Sequence, residues 1–163
     1  KAIFKSLFEN TLETLLKSEE YLAFDARNKL LSFYFTFFEN LSANRSYILL
    51  VLKNDLAQLK KLKILNDLKN SFTSYIEELE IETVDFKEKK ITQIQKKGIK
   101  ETAWMQLLIT VNFWMNDTSA SFEKTDIFIE KSINTSFDLL NTTPLKSMID
   151  LGKFLYKEKM NSN

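Results

Sequence analysis

Pairs of acidic residues are the feature of this sequence that could support catalysis or bind a metal ion. They stand at Glu19 and Glu20, Glu77 and Glu78, and Glu80 and Glu82. Carboxylates on facing helices can hold two iron ions, but the usual ligand set of such a site also contains histidine. The chain has no histidine and no cysteine, which also removes imidazole and thiol catalysis. We therefore interpret the pairs as solvated helix ends, and we expect no enzymatic activity, no metal ion and no cofactor.

Glycine and proline are scarce along the chain. Its 163 residues include only two glycines and one proline, too few to punctuate an all-β fold or to build a glycine-rich phosphate loop. A length of this kind favours one domain. We expect residues 1–163 to form a single all-helical domain.

Charge is almost balanced, with 23 basic and 22 acidic residues. The lysine-rich runs at 60–63 and 87–100 have acidic residues among them or close by, so we interpret them as solvated helix faces rather than a nucleic-acid surface. The longest uncharged stretch, 102–116, is short of the roughly 20 residues that a membrane-spanning helix needs. No signal peptide opens the sequence. We expect a cytoplasmic protein that makes no membrane contact.

Apolar residues recur at three- and four-residue spacing through most of the sequence, which predicts an all-α fold of about seven helices. Breaks are predicted at 42–44 and 117–121, and Asp25 is a plausible N-cap. The apolar run 47–52 favours a short, well-buried helix, with a strand as the alternative. The predicted helices cover 1–18, 25–43, 47–52, 56–80, 87–116, 122–140 and a last one that Pro144 opens.

Aromatic residues make up 13% of the chain, and five of them crowd into positions 33–38. A helix shows all its faces within six residues, so these rings cannot all meet one core stripe. We therefore expect an apolar pocket between helices, with dense core packing as the alternative for any one residue. The candidate lining residues are Phe33, Tyr34, Phe37, Phe72, Trp104 and Leu108, with Tyr34 and Gln106 as polar contacts.

Residues 104–115, in the second half of the helix predicted at 87–116, carry apolar side chains on more than one face. The helix predicted at 122–140 does the same. Two antiparallel helices of this kind could pair with a second copy as a four-helix bundle. We therefore expect a homodimer. Its candidate interface residues are Phe113, Phe122, Thr125, Ile129, Ser132, Ile133 and Ser136.

Three stretches resemble the C-terminal regulatory domain of the tetracycline-repressor (TetR) family of transcriptional regulators, in the branch found in Bacteroidetes-type bacteria. They are FDARNKLLSFYFTFFENLSANRSYI at 24–48, AWMQLLITVNFWMNDTSASFEKTDIFIEK at 103–131 and FDLLNTTPLKSMIDLGKFLYKEK at 137–159. The resemblance implies that the first helix connects to a DNA-reading head, and that later helices wall a pocket for a small hydrophobic effector. It also implies a dimer formed through the helices near 103–117 and 122–141, in which the effector shifts the population between DNA-competent and DNA-incompetent states.

The helix-turn-helix domain that opens such regulators is absent from this sequence, which begins at Lys1. Under this interpretation operator DNA is bound only through that separate N-terminal domain. The same body fold also occurs in a lipid-binding protein of ubiquinone biosynthesis. The alternative function is therefore a helical lipid-binding or scaffold protein with no role in DNA binding.

Overall fold

The computed structural model describes residues 2–52, 63–83, 87, 89–140 and 143–161, and all the regular structure in these ranges is helical. The predicted all-α fold is confirmed. Short 3₁₀ turns at Lys63–Leu65 and Ala120–Phe122 precede the fifth and seventh helices. The α-helices are α1 (Ala2–Leu16), α2 (Glu19–Ala23), α3 (Ala26–Ala43), α4 (Arg45–Val51), α5 (Asn66–Glu78), α6 (Lys89–Met115), α7 (Glu123–Leu140) and α8 (Thr143–Asn161). None of these helices is both long and apolar enough to cross a bilayer.

Local capping explains where the first helices begin. The Asp25 carboxylate accepts a hydrogen bond from the backbone N–H of Asn28, which confirms Asp25 as the N-cap of α3. The five-residue helix α2 was not predicted from the pattern, and the Ser18 side chain caps it in the same way. The first part of the helix predicted at 56–80 lies outside the described residues.

Helix α4 corrects one expectation. The run 47–52 is helical as far as Val51, and Leu52 is the extended residue that caps the helix, but the run is not buried as a whole. Ile48 faces the core, whereas Tyr47 is exposed and Leu50 is 86% exposed. A single turn or two of helix can bury only one side, so the continuous apolar run does not correspond to a continuous buried surface.

Helix α3 lies at the centre of the fold. It packs against α1 on one side and α7 on another, while α5 bridges α1 and α6. Spacing of three and four residues puts the apolar side chains of α3 on a broad buried face. The buried residues of α3 are Leu30, Phe33, Tyr34, Phe37, Phe38 and Leu41.

Arg45, the first residue of α4, fastens that helix to the end of α6. Its guanidinium donates hydrogen bonds to the backbone carbonyls of Trp114, Met115 and Asp117, at 2.8, 3.0 and 3.2 Å. The same group lies 4.7 Å from the centre of the Trp114 ring and 4.6 Å from that of Phe122. The carbonyls at a helix C-terminus lack partners within the helix, and a cation there also matches the helix dipole.

Asp117 holds the turn between α6 and α7. One carboxylate oxygen accepts hydrogen bonds from the backbone N–H and hydroxyl of Ser119, and the other accepts the equivalent pair from Thr125, all at 2.6–2.9 Å. Burial opposes ionisation of Asp117, but these four bonds outweigh it and lower its pKa from 3.8 to about 2. The predicted break at 117–121 is thus an ordered, capped turn.

Replacing Asp117 with Asn should lower the free energy of unfolding at pH 7 by about 1–2 kcal/mol, because the amide keeps only one of the two accepting oxygens. The folded-state pKa is depressed, so the contribution of the charge is present at neutral pH and is lost as the pH falls from about 4 to about 2. Urea unfolding of both proteins at pH 7 and pH 3 should therefore show a smaller difference at pH 3.

Asp126 provides the matched control. Burial, with a smaller effect of the Asp117 charge, raises the pKa of Asp126, so its ionised form is disfavoured in the folded protein. Asp126→Asn should cause no loss of stability at pH 7. Equal destabilisation by both substitutions would contradict the role assigned to Asp117.

Candidate functional site

Six aromatic residues from three helices meet in the core. We call them the aromatic cluster: Phe8 of α1, Phe33, Tyr34 and Phe37 of α3, and Phe72 and Tyr75 of α5. Phe33 lies at its centre and has no exposed surface. Its ring centre is 5.4 Å from Phe8, 5.5 Å from Phe72 and 4.9 Å from Tyr75.

Four of the predicted pocket residues belong to this cluster, namely Phe33, Tyr34, Phe37 and Phe72. Their rings contact one another directly, so the chain's own side chains occupy the predicted pocket. Five surface grooves of the described chain, of about 380 to 510 Å³, have none of the seven predicted pocket residues in their walls. The rings are densely packed in this conformation, and a pocket that an effector opens between them stays a prediction.

Sequence reasoning missed the two other members of the cluster. Phe8 belongs to the apolar stripe of α1, and Tyr75 follows Phe72 by three residues on α5, so the spacing contained a signal for both. What the spacing could not indicate was that α1 and α5 lie side by side.

Tyrosine hydroxyls give the cluster a polar edge. The Tyr21 hydroxyl lies 3.0 Å from that of Tyr75, which donates to the backbone carbonyl of Lys29 at 3.2 Å. Burial raises the pKa of Tyr34, and burial with the neighbouring Tyr21 raises that of Tyr75. Both phenols therefore stay neutral over the physiological pH range, and that of Tyr75 acts as a hydrogen-bond donor.

Helix α6 separates the remaining pocket candidates. Trp104 and Leu108 are one turn apart and are buried in the same core as the aromatic cluster. Gln106 is about 200° round the helix from Trp104, and its amide lies 3.4 Å from the Ser132 hydroxyl and 3.2 Å from that of Ser136. Gln106 thus joins α6 to α7, and its contact with an effector stays a prediction.

Apolar side chains also lie on the outside of α6 and α7. Ile109 and Phe113 are 40% and 36% exposed, and the Phe113 ring stacks on that of Phe128 with 4.7 Å between centres. We call Ile109, Phe113 and Phe128 the outer surface. Of these three residues, only Phe113 is among the interface residues predicted from the sequence.

The other predicted interface residues contact their own chain. Ile129 and Ile133 have no exposed surface, and Thr125 is bound to Asp117. These three residues lie on the stripe that α7 turns towards the core, and their place in a dimer interface stays a prediction. Phe122 lies half-buried against Arg45, while Ser132 and Ser136 contact Gln106.

The sequence that forms these helices matches a known protein family. The family model described as the tetracycline repressor-like, C-terminal domain matches residues 29–155, about three quarters of the chain. The chain belongs to this family. The match runs from α3 into α8 and so includes most of the aromatic cluster and the whole outer surface of this tetracycline-repressor-like domain. Searches of curated proteins and of solved structures found no match.

Replacing Phe33 with Ala should strongly destabilise the folded protein, because the ring is enclosed by other rings and its loss would leave a cavity. We expect the free energy of unfolding to fall by about 3–5 kcal/mol. Phe35 on the same helix is 39% exposed and provides the control, for which Phe35→Ala should cost about 1 kcal/mol or less. Chemical unfolding followed by circular dichroism measures both. Similar losses for the two variants would contradict the central position of Phe33.

Proposed function

We propose that this chain is the ligand-sensing and dimerisation domain of a bacterial transcriptional regulator. Membership of the tetracycline repressor-like family supports the general role. The observation that carries the proposal for this chain is the aromatic cluster, an apolar interior shared by three helices. In this proposal a small hydrophobic effector enters by displacing rings of the cluster. Operator DNA is bound by a separate helix-turn-helix domain that connects to α1.

Contacts of α1 support a route from effector to DNA. The Phe8 ring of α1 contacts both Phe33 and Tyr75, at 5.4 and 6.3 Å. Further along α1, the Thr11 hydroxyl accepts a hydrogen bond from the Asn40 amide of α3 at 2.9 Å. An effector that moved Phe33 would therefore displace α1 directly, and α1 would carry the shift to the DNA-binding domain as a change in the population of two states.

Quenching of tryptophan fluorescence tests the position of the effector. We expect 10-bromodecanol, a neutral apolar probe whose bromine quenches only nearby indoles, to quench Trp104, which is buried in the same core as the aromatic cluster. The Trp114→Phe variant, which keeps Trp104, should retain most of the quenching, and Trp104→Phe should lose most of it. Trp114 is the control because its ring is not a member of the cluster: it contacts Phe38, donates a hydrogen bond to Ser42 of α3 and packs against Arg45 of α4. Quenching of Trp114 instead would refute the proposed site.

The outer surface suggests how two copies pair. Its three apolar side chains lie next to one another on α6 and α7, and this surface takes the place of the buried stripe as our proposed dimer contact. In solution the protein should then have twice the 19.2 kDa mass of one chain.

Ile109→Asp together with Phe113→Asp should convert the dimer to a monomer, because a dimer contact would bury two carboxylates without partners. Light scattering at about 10 µM protein, a concentration at which dimers of ordinary affinity persist, gives the mass. Leu50→Asp places a charge on an exposed apolar residue of α4 and should leave the dimer intact. A wild-type mass equal to one chain would reject the dimer.

The role in transcription needs its own test, because a helical lipid-binding or scaffold protein could share the apolar interior. In the complete gene product, the bromodecanol probe should change the affinity for operator DNA in a gel-shift titration. Phe33→Leu should weaken that response, since Leu alters the ring contacts with a smaller loss of volume than Ala. Failure of the complete product to bind DNA, with quenching intact, would favour the lipid-binding alternative.

A further inference from the structure

A groove opens at the end of the domain where α3 begins. It lies between the start of α3, the connection that follows α5 and the end of α7, and its volume is about 420 Å³. We call it the distal groove. Its floor is apolar, formed by Leu79, Ile81 and Leu140, which are half-buried, and by the largely buried ring of Phe137. Such a volume falls in the range of sites that hold a small organic ligand.

Acidic side chains form the rim of the distal groove. Asp25, Glu80 and Glu82 all line it and all are exposed. Within the described residues, Glu80 and Glu82 have no ion-pair partner. One oxygen of Asp25 accepts the capping hydrogen bond from Asn28. The rim therefore combines three carboxylates with an apolar floor.

Arg27 is the one basic residue among those that line the groove in the described chain. Its guanidinium lies 2.7 Å from a carboxylate oxygen of Asp138 and 3.4 Å from the amide oxygen of Asn134. It also lies 5.5 Å from the centre of the Phe137 ring. Because Asp138 matches its charge, Arg27 offsets little of the negative potential of the rim. An anionic ligand would have to compete with Asp138 and approach three carboxylates.

We propose that the distal groove binds a small amphipathic cation, an alkyl or aryl ammonium compound. The positively charged head lies at Glu80, Glu82 and Asp25, and the apolar part lies on the floor. This site goes beyond the proposed function, because its ligand differs in charge and position from a hydrophobic effector in the aromatic cluster. Since three elements of the fold contribute to the groove, a bound ligand would tie α3, the α5–α6 connection and α7 together.

Three probes of equal chain length test the proposal by isothermal titration calorimetry: octyltrimethylammonium, octanoate and octanol, all below their micellar concentrations. The cation should bind most tightly, and its affinity should fall as NaCl is raised from 50 to 500 mM, because salt screens exposed charges. Tetramethylammonium, which has the head without the tail, should bind more weakly than octyltrimethylammonium.

Removing the rim charges provides the decisive comparison. The double variant Glu80→Gln/Glu82→Gln should bind octyltrimethylammonium about fivefold more weakly, equivalent to about 1 kcal/mol. The control Glu123→Gln/Glu130→Gln removes the same charge from exposed positions on α7 that do not line the groove, and its affinity should match the wild type. Circular dichroism and thermal unfolding establish that both variants fold.

Three results would overturn the proposal: octanoate binding as tightly as the cation, an equal loss of affinity in both double variants, or no measurable binding of octyltrimethylammonium. These results leave the proposed effector site standing, because that site is tested separately by the quenching of Trp104 in the two tryptophan variants. Conversely, if bromodecanol does not quench Trp104, the comparison of octyltrimethylammonium affinity between the two double variants still tests the distal groove.

Discussion

The ring contacts around Phe33 hold the first half of the molecule together. Phe33 belongs to α3, but its neighbours come from α1 through Phe8 and from α5 through Phe72 and Tyr75. Large aromatic side chains bury more apolar surface than any others, and their tilted and offset contacts add a further stabilisation. One side chain therefore holds α1, α3 and α5 in contact with one another, and a ligand that displaced its ring would move these helices.

A second set of contacts attaches α6 and α7 to that core. Arg45 donates to backbone carbonyls at the end of α6. Asp117, two residues after that helix ends, accepts from a backbone N–H in the first turn of α7. Both groups satisfy backbone atoms that a helix terminus leaves without partners. With the turn between them fixed, α6 and α7 must lie side by side, and the outer surface at Phe113 and Phe128 follows from that alignment.

These two sets of contacts give the domain an apolar interior, in which the aromatic cluster has tyrosine hydroxyls at one edge. The distal groove lies outside the interior, between elements that the aromatic cluster has already placed, and it has carboxylates on its rim. The two sites would therefore favour ligands of different charge.

Much of the fold could be predicted from the sequence because capping and periodicity are local properties. Asp25 and the turn at 117–121 mark helix ends through hydrogen bonds to neighbouring residues. The crowding of rings at 33–38 identified three members of the aromatic cluster, Phe33, Tyr34 and Phe37. Partners that come from another helix were harder to find, and Phe8 and Tyr75 were missed for that reason.

The outcome on α6 and α7 marks the limit of sequence reasoning. A period of 3.6 residues groups Ile129 with Ile133 and Ile109 with Phe113 on shared stripes, but it does not say which stripe the rest of the chain covers. The sequence by itself determined a helical domain with an aromatic interior and capped turns. Only the tertiary structure decided that Ile129 faces the core, that Gln106 faces α7 and that Phe113 remains outside, because burial depends on which helices pack together and not on the spacing within one helix.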